Sequence, residues 1–334
     1  MKIVLLGDTH FGIKNFNKEF YKNQIDFFEK QFFPYLIENN IKCVFQLGDL
    51  FDNRKIIDID FFQNFINDFG NLLKKWNGKF YVLTGNHDIY YKNTREISSL
   101  NILEKLIPII HINEDTIIEI DNIKFALIPW ITVNEKISEE KSNEIYNSDY
   151  ILGHFEFAGF QMIKGVENKS GMNPKDFKNF KAVFSGHFHL RQNKGNIYYI
   201  GTPYQLDWND SGDDKGFYVL DIKLNQLEFI ENKFSKKFVK YVITKDINLN
   251  ELNFNSKNEY KIILKDKIDI KEFLEKLKEN NIKFSLIDKT IDFKVSNEIK
   301  TINPEKLLFS KIEDEKTKEI MKEILNEAKQ LLKD

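Results

Sequence analysis

The chain has 334 residues, 42% of them hydrophobic and 30% charged, with 49 Lys and Arg against 51 Asp and Glu and a single cysteine. That balance excludes an intrinsically disordered chain, a disulfide scaffold and a uniformly basic coat for polyanions. Apolar runs such as residues 3–6 and 106–110 are far short of the roughly 20 residues a membrane helix needs, so no membrane partner is expected.

Residues 2–6 read as a strand, and 18–38 carry Phe20, Phe27, Phe28, Phe32 and Leu36 at helical spacing. A second strand is expected at 42–47, followed by a helix whose stripe is Ile59, Phe62, Phe65, Ile66, Phe69, Leu72, Leu73 and Trp76, then a third strand at 79–84. Strands separated by helices of this size form parallel βαβ units. From residue 116 the texture changes: 117–120 and 123–128 flank Asp121-Asn122, a hairpin turn pair. A helix is expected at 134–147, with short strands at 149–153, 181–186, 196–201, 216–222 and 227–231. The pattern is α/β, two sheets with helices outside.

Three blocks differ in charge. Residues 1–234 carry 27 cations to 32 anions, 235–302 carry 15 to 11, and 303–334 carry 7 to 8. The basic block reads as a small α+β pattern, with strands at 259–264 and 282–287 around a helix at 270–279 that Asp269 and Glu272 would open as a capping box. Asn303-Pro304 signals the start of a last helical segment, in which Ile320, Ile324, Ala328 and Leu331 share a stripe. Such a stripe serves either the chain's own core or a docking surface. The N-terminus turns polar too soon for a secretory leader, and Cys43 has no partner to oxidise with, so a reducing, cytoplasmic location is expected.

Five of the six histidines sit at expected strand ends beside glycine, asparagine or acidic residues: Asp8-Thr9-His10, Gly85-Asn86-His87-Asp88, Gly153-His154 and Gly186-His187-Phe188-His189. A further strand ends in Gly48-Asp49-Leu50-Phe51-Asp52, while His111 stands apart and reads as structural. Carboxyl ends of parallel strands converge on one crevice, so ligands from distant segments can meet there. Imidazole and carboxylate donors without thiolate suit Mn²⁺, Zn²⁺ or Fe²⁺. Asp8, His10, Asp49, Asn86, His154, His187 and His189 are too many for one tetrahedral site, which points to two divalent ions, with Asp49 the candidate bridge. Two ions about 3.5–4 Å apart bind a phosphate ester, activate water and stabilise an in-line displacement. The alternative is that each histidine is structural at its own strand end.

The ordered set D-x-H, G-D-x-x-D, G-N-H-D, G-H and G-H-x-H resembles the calcineurin-like metallophosphoesterases. Within them the chain is similar to SbcD-type double-strand-break repair nucleases, including the recombination endonuclease subunits of T4-like bacteriophages. That likeness rests on residues 48–55, Ile128-Pro129-Trp130, Gly186-His187-Phe188-His189 and Ile200-Gly201-Thr202-Pro203-Tyr204. It implies a four-layer α-β-β-α sandwich over 1–234, a capping domain over 235–302 that binds DNA, and C-terminal helices over 303–334 that dock on the coiled-coil base of an SMC-like ATPase of the SbcC type. It implies a homodimer as well, and for a viral chain the host cytoplasm.

The same resemblance implies one metal on Asp8, His10, Asp49 and His189 and another on Asp49, Asn86, His154 and His187, with manganese the expected ion. His87 falls on the family's catalytic histidine, which stabilises the transition state and protonates the leaving 3′ oxygen, a task imidazole suits. Asp88 is expected to orient its ring. Cellular members carry a second histidine where this chain has Asp52, which is expected to support a ligand from outside instead.

Arg54 and Lys55, Lys92 and Arg95, and Arg191 and Lys194 follow ligand segments and would rim the site as phosphate contacts, or else are ordinary solvated charge. Phe11 and Tyr90 are candidates to stack a base, or else core aromatics. The leading expectation is a Mn-dependent DNA exonuclease and endonuclease in a recombination complex. Competing with it are a phosphatase or small-molecule phosphodiesterase, and a DNA-tethering subunit that no longer cleaves.

Overall fold

A computed structural model describes residues 1–131, 139–290 and, beyond these, Asp314, Thr317 and Glu319. Residues 1–287 form one compact unit and 288–334 another.

The first six-stranded sheet is built around four parallel strands, β1 (Lys2–Leu6), β2 (Cys43–Gln46), β3 (Lys79–Leu83) and β4 (Ile110–Ile112). The second contains β5 (Thr116–Ile120), β6 (Ile123–Ile128) and β7 (Tyr150–Gly153). A separate ribbon pairs β8 (Gln161–Ile163) with β9 (Val166–Glu167). The second sheet is completed by β10 (Ala182–Ser185), β11 (Gln192–Lys194) and β12 (Ile197–Tyr199), in the order β11-β12-β10-β7-β6-β5. Strands β13 (Gly216–Asp221) and β14 (Gln226–Glu231) return antiparallel to the first sheet, beside β1.

Period-2 alternation divides the core into layers. Ile3, Leu5, Phe45, Leu83, Phe125, Leu127, Leu152 and Phe184 meet between the two sheets. Val4, Leu6, Val44 and Val82 point the other way, onto helices Lys18–Phe27 and Ile59–Trp76. The outer face of the second sheet covers Ile151, Val183, Phe155 and Phe157. This is the mixed α/β, parallel-rich architecture expected of a metallophosphoesterase.

The helix Ile59–Trp76 buries Phe61, Phe65, Phe69, Leu73 and Trp76, each at the i+4 or i+3 step from the last. Each such burial contributes about 1.5–3 kcal/mol. Asp58 caps the helix by accepting the Phe61 amide at 2.8 Å. The stretch expected as a single helix over 18–38 is interrupted by a π-turn at Phe28–Phe32. Pro34, which cannot donate an amide, starts the next segment Phe33–Glu38, and the widened turn absorbs the missing bond. Asp121 (φ 51°) and Asn122 (φ 60°) both hold left-handed backbone, as the tight hairpin between β5 and β6 requires.

A third sheet, in the order β15-β16-β17, comprises β15 (Phe238–Ile243), β16 (Glu259–Leu264) and β17 (Lys283–Asp288). With the helix Lys271–Glu279 it has its own cluster of Ile243, Tyr260, Ile262, Leu264 and Leu277. Phe238 donates its amide to Gln205, and Lys261 lies over Trp208 at 4.2 Å, tying this lobe to the main body. The expected capping box is not formed: the helix starts two residues after Asp269, whose carboxylate accepts the Lys271 amide in a local turn. The start of the helix expected at 134–147 and most of the segment expected at 303–334, including its proline signal and stripe, lie outside the described residues. Within the latter, Asp314 accepts the Thr317 amide at 2.8 Å. Among the described residues, no helix is long and apolar enough to cross a membrane.

His111 lies on β4 with only 2% of its side chain exposed, its Nε2 2.8 Å from Thr84 Oγ1. Burial pushes its imidazole down to about 4, whereas an unfolded histidine titrates near 6.5. Between those values the unfolded chain binds a proton the folded chain refuses, so the contribution of His111 to stability is full above about pH 6.5 and is lost as pH drops toward about 4. His111→Gln is expected to flatten this acid limb by about 1.4 kcal/mol per pH unit. Urea unfolding at pH 7 and pH 5 reads the difference, and equal slopes for both chains would refute it.

Candidate metal centre

Every candidate ligand follows the carboxyl end of a parallel strand. Asp8 and His10 follow β1, Asp49 follows β2, Asn86 follows β3, His154 follows β7, and His187 and His189 follow β10. Their polar atoms converge. Asp8, His10 and His189 each offer an atom within 4.8 Å of the others, as do Asp49, His154 and His187. Asp49 reaches both groups, its Oδ2 3.9 Å from His10 Nε2 and 3.4 Å from His154 Nε2. Asn86 Oδ1 closes the second group, 2.9 Å from His154 Nε2 and 2.9 Å from His187 Nδ1. In the first, His10 Nε2 and His189 Nε2 are 2.9 Å apart.

The loops that carry these side chains are strained and braced. His10 (φ 44°), Asp49 (φ 54°) and His187 (φ 83°) hold left-handed backbone, at about 1–3 kcal/mol for each non-glycine residue. Thr9 and His10 donate their amides to Asp49 O at 3.1 Å, and the His187 amide donates to the Asp8 carboxylate at 2.9 Å. Buried Gln24 donates to Thr9 O and His10 O, and the Tyr204 hydroxyl donates to Thr9 O at 2.6 Å. Lys215 donates to His189 O at 2.7 Å. Gly85 is needed for close approach, since a Cβ there would lie 2.2 Å from Asp49 Oδ1.

Asp88 corrects one expectation. It does not touch the His87 ring: its carboxylate accepts the amides of Asp49 (2.8 Å), Gly85 (2.9 Å) and Phe51 (3.2 Å), locking two ligand loops together. Buried amides that lack strand partners need such an acceptor, and Asp88 is fully buried beside them. The His87 ring is held by backbone instead, Nδ1 donating to Asp52 O at 2.6 Å. The Asp52 carboxylate sits 3.3 Å from His10 Nδ1, behind the nitrogen that faces the first cluster.

Charge is tightly shared. Burial would raise the Asp49 carboxyl, but His154, His10 and His87 outweigh it and hold Asp49 well below the usual carboxylate range. Burial, helped by the Asp49 charge, pushes Asp8 up to about 6 against the pull of His154. Burial and Asp49 likewise push Asp88 up to about 6. Burial opposes protonation of His154, yet Asp49 and Asp8 hold it up at about 9. Burial and the His154 charge push His187 down to about 4.

The donor set fits divalent cations. Asp8 and Asp49 are buried anions whose only ion-pair partners among the described residues are histidines, with no Lys or Arg beside them. Buried carboxylates without a fixed cation are costly, and oxygen and imidazole donors without thiolate match Mn²⁺, Zn²⁺ or Fe²⁺.

The proposed rim is more dispersed. Lys55 and Lys92 are exposed and Arg54 half-buried. Lys55 stands 5.4 Å above the Tyr90 ring, which packs edge-on against Tyr91. Arg95 donates to Trp130 O, Lys194 donates to Gly159 O, and Arg191 stacks on Phe229 at 4.0 Å. Phe11 is not available to a base, being buried among Phe28, Phe65 and Phe69. Sequence reading also missed groups that only the fold brings in. Gln24, Lys215 and Glu156 act across long sequence distances, and only Tyr204 lay in a motif that drew notice.

The chain belongs to the calcineurin-like phosphoesterase family, whose model matches residues 1–191. Its members are hydrolases of phosphoester bonds that use divalent metals. Among curated proteins it is similar to Exonuclease subunit 1 of Enterobacteria phage T4, 34% identical over 239 residues, or 70% of this chain and 68% of that protein. Solved structures give weaker likenesses. A hypothetical protein of Thermus thermophilus is 11% identical over 69% of this chain and 97% of its own, with a TM-score of 0.39. GAP50, the anchor in the inner membrane complex of Plasmodium, is 14% identical over 70% and 85%, with a TM-score of 0.40. Neither overlaps closely enough to bear on function.

Proposed function

We propose that the chain is a Mn²⁺-dependent DNA nuclease, an exonuclease and endonuclease subunit of a recombination and double-strand-break repair complex. The observation that carries this reading is the pair of donor clusters joined by Asp49, together with the similarity to a phage protein named as an exonuclease subunit. In this reading Asp8, His10, Asp49 and His189 hold one ion, and Asp49, Asn86, His154 and His187 the other. Bound there, the pair would supply positive charge that draws in a phosphodiester and would lower the pKa of water, so that hydroxide is available as the nucleophile.

The chain's own residues do the rest. His87 presents Nε2 as its free edge because Nδ1 is spent on Asp52 O, and from that edge it protonates the leaving 3′ oxygen. Asp88 keeps the loops of Asp49 and His87 in register through the amides it accepts. Lys55, Lys92 and Arg54 hold neighbouring phosphates, while the basic lobe over 235–302 binds the duplex as a capping domain. A subunit of this kind needs a partner, and we assign the segment 303–334 to docking on an SMC-like ATPase, with a second copy of the chain completing a homodimer in the cytoplasm.

The purified chain with Mn²⁺ is expected to degrade linear DNA and to be inert after chelation. Intact DNA alongside rapid hydrolysis of phosphomonoesters would replace the nuclease with a phosphatase. DNA binding without any cleavage would leave a tethering subunit.

A further inference from the structure

We propose that Glu156 is a positioning residue for the cation site formed by Asp49, Asn86, His154 and His187, fixing which nitrogen of His187 faces that site. The inference rests on the two-cation reading above and extends it to a residue outside both donor clusters.

The local sequence delivers the carboxylate. Phe155 and Phe157 are both buried in the cluster beneath the second sheet, whereas the Glu156 side chain between them is half-exposed and meets His187. The backbone that carries it is fixed on both sides. Phe155 donates its amide to Ser185 Oγ at 2.9 Å, Met172 donates to Glu156 O at 2.8 Å, and Ala158 donates to Met172 O at 3.0 Å. Gly171 permits this crossing, for a Cβ there would stand 2.5 Å from Glu156 O.

Glu156 Oε1 then lies 2.9 Å from His187 Nε2, while Nδ1 of the same ring lies 2.9 Å from Asn86 Oδ1. Glu156 Oε1 and Asn86 Oδ1 are both acceptors; a cation held by Asn86 Oδ1 and Nδ1 takes the lone pairs of both, which puts the ring proton on Nε2, where the Glu156 carboxylate accepts it. A ring nitrogen facing a metal is set by the bond its partner nitrogen makes. Trp130 and Phe188 flank the ring at 5.1 Å each and limit its tilt. Neither distinguishes the ring from its flipped form, which leaves that choice to Glu156.

The other imidazoles are held differently. His154 uses the carbonyl of Leu47 at 2.7 Å, and His10 faces Asp52 across 3.3 Å. Asp52 stands behind the His10 ring as Glu156 stands behind the His187 ring, and Asp52 also groups with His10 and His87. The Glu156 side chain is 44% exposed, so its replacement leaves no buried hole.

The test is Mn²⁺ titration of the metal-free full-length chain by calorimetry, with free Mn²⁺ followed by its electron paramagnetic resonance. Glu156→Ala is expected to weaken one of two binding events by about 10–100-fold and to leave the other within about threefold. Glu156→Gln keeps an acceptor oxygen in the same place and is expected to recover part of that loss, with metal-free melting unchanged in both variants. A wild-type isotherm from Glu156→Ala, or an equal loss at both sites, would overturn the assignment. Wild-type protein that bound no Mn²⁺ would instead overturn the two-cation reading itself, so the two failures are distinct.

Discussion

His87→Ala is expected to cut DNA cleavage by about 10²–10⁴-fold while the Mn²⁺ isotherm stays that of the wild type. The separation follows from how the residue is divided between backbone and ring. Its amide donates to Asp49 Oδ1 at 2.7 Å and so belongs to the donor cluster; alanine keeps that bond. Its ring is anchored at one end by Asp52 O and packs edge-on to His10 with centroids 5.0 Å apart, leaving the far nitrogen as the group that alanine removes. Single-turnover cleavage with saturating Mn²⁺ measures the loss. Wild-type rates in the variant would take His87 out of the reaction, and loss of metal binding would make it a support for the centre instead.

Asp49→Ala is expected to have the larger effect on the metals. Both oxygens of this carboxylate are committed: Oδ1 accepts the His87 amide, and Oδ2 lies between His10 and His154. One substitution therefore strips a donor from each cluster and removes the anion that raises the His154 imidazole above its ordinary range. Neither ion should bind at concentrations that saturate the wild type, and cleavage should fall to background. The fold should persist, since the main-chain carbonyl of Asp49 continues to accept Thr9 and His10. Metal analysis after dialysis, paired with far-ultraviolet circular dichroism, checks both halves. A variant that retained one fully occupied site would show that Asp49 serves only a single ion.

The elements that were legible from sequence are those with strong local period: β1, β2, β3, the helix Ile59–Trp76 and the hairpin at Asp121-Asn122. The strands β4, β8, β9 and β11 are two or three residues long and offer little alternation against loop sequence; β12, as short, was legible from the continuous apolar run 197–200. The ligand types could be read because each sits beside a glycine or an acid at a strand end. Their supports could not. Asp88 was linked to its neighbour His87 because adjacency is visible in a sequence, whereas its partners Asp49 and Phe51 lie 39 and 37 residues away. A single acid between two phenylalanines carries no signal of its own, and only the approach of His187 from 31 residues on gives Glu156 a partner. The π-turn before Pro34 was hidden for another reason: the apolar spacing of 18–38 continues through it, and only the missing proline amide shifts the bonding.

The left-handed residues at His10, Asp49 and His187 have a thermodynamic corollary. Their conformational cost is offset by the amide bonds and by Gln24, Tyr204 and Lys215, all groups of the chain itself. Bracing of this kind comes from the fold rather than from a ligand, and a site so held spends less of its binding free energy on ordering loops. A receptor made rigid in advance gains affinity by that saving.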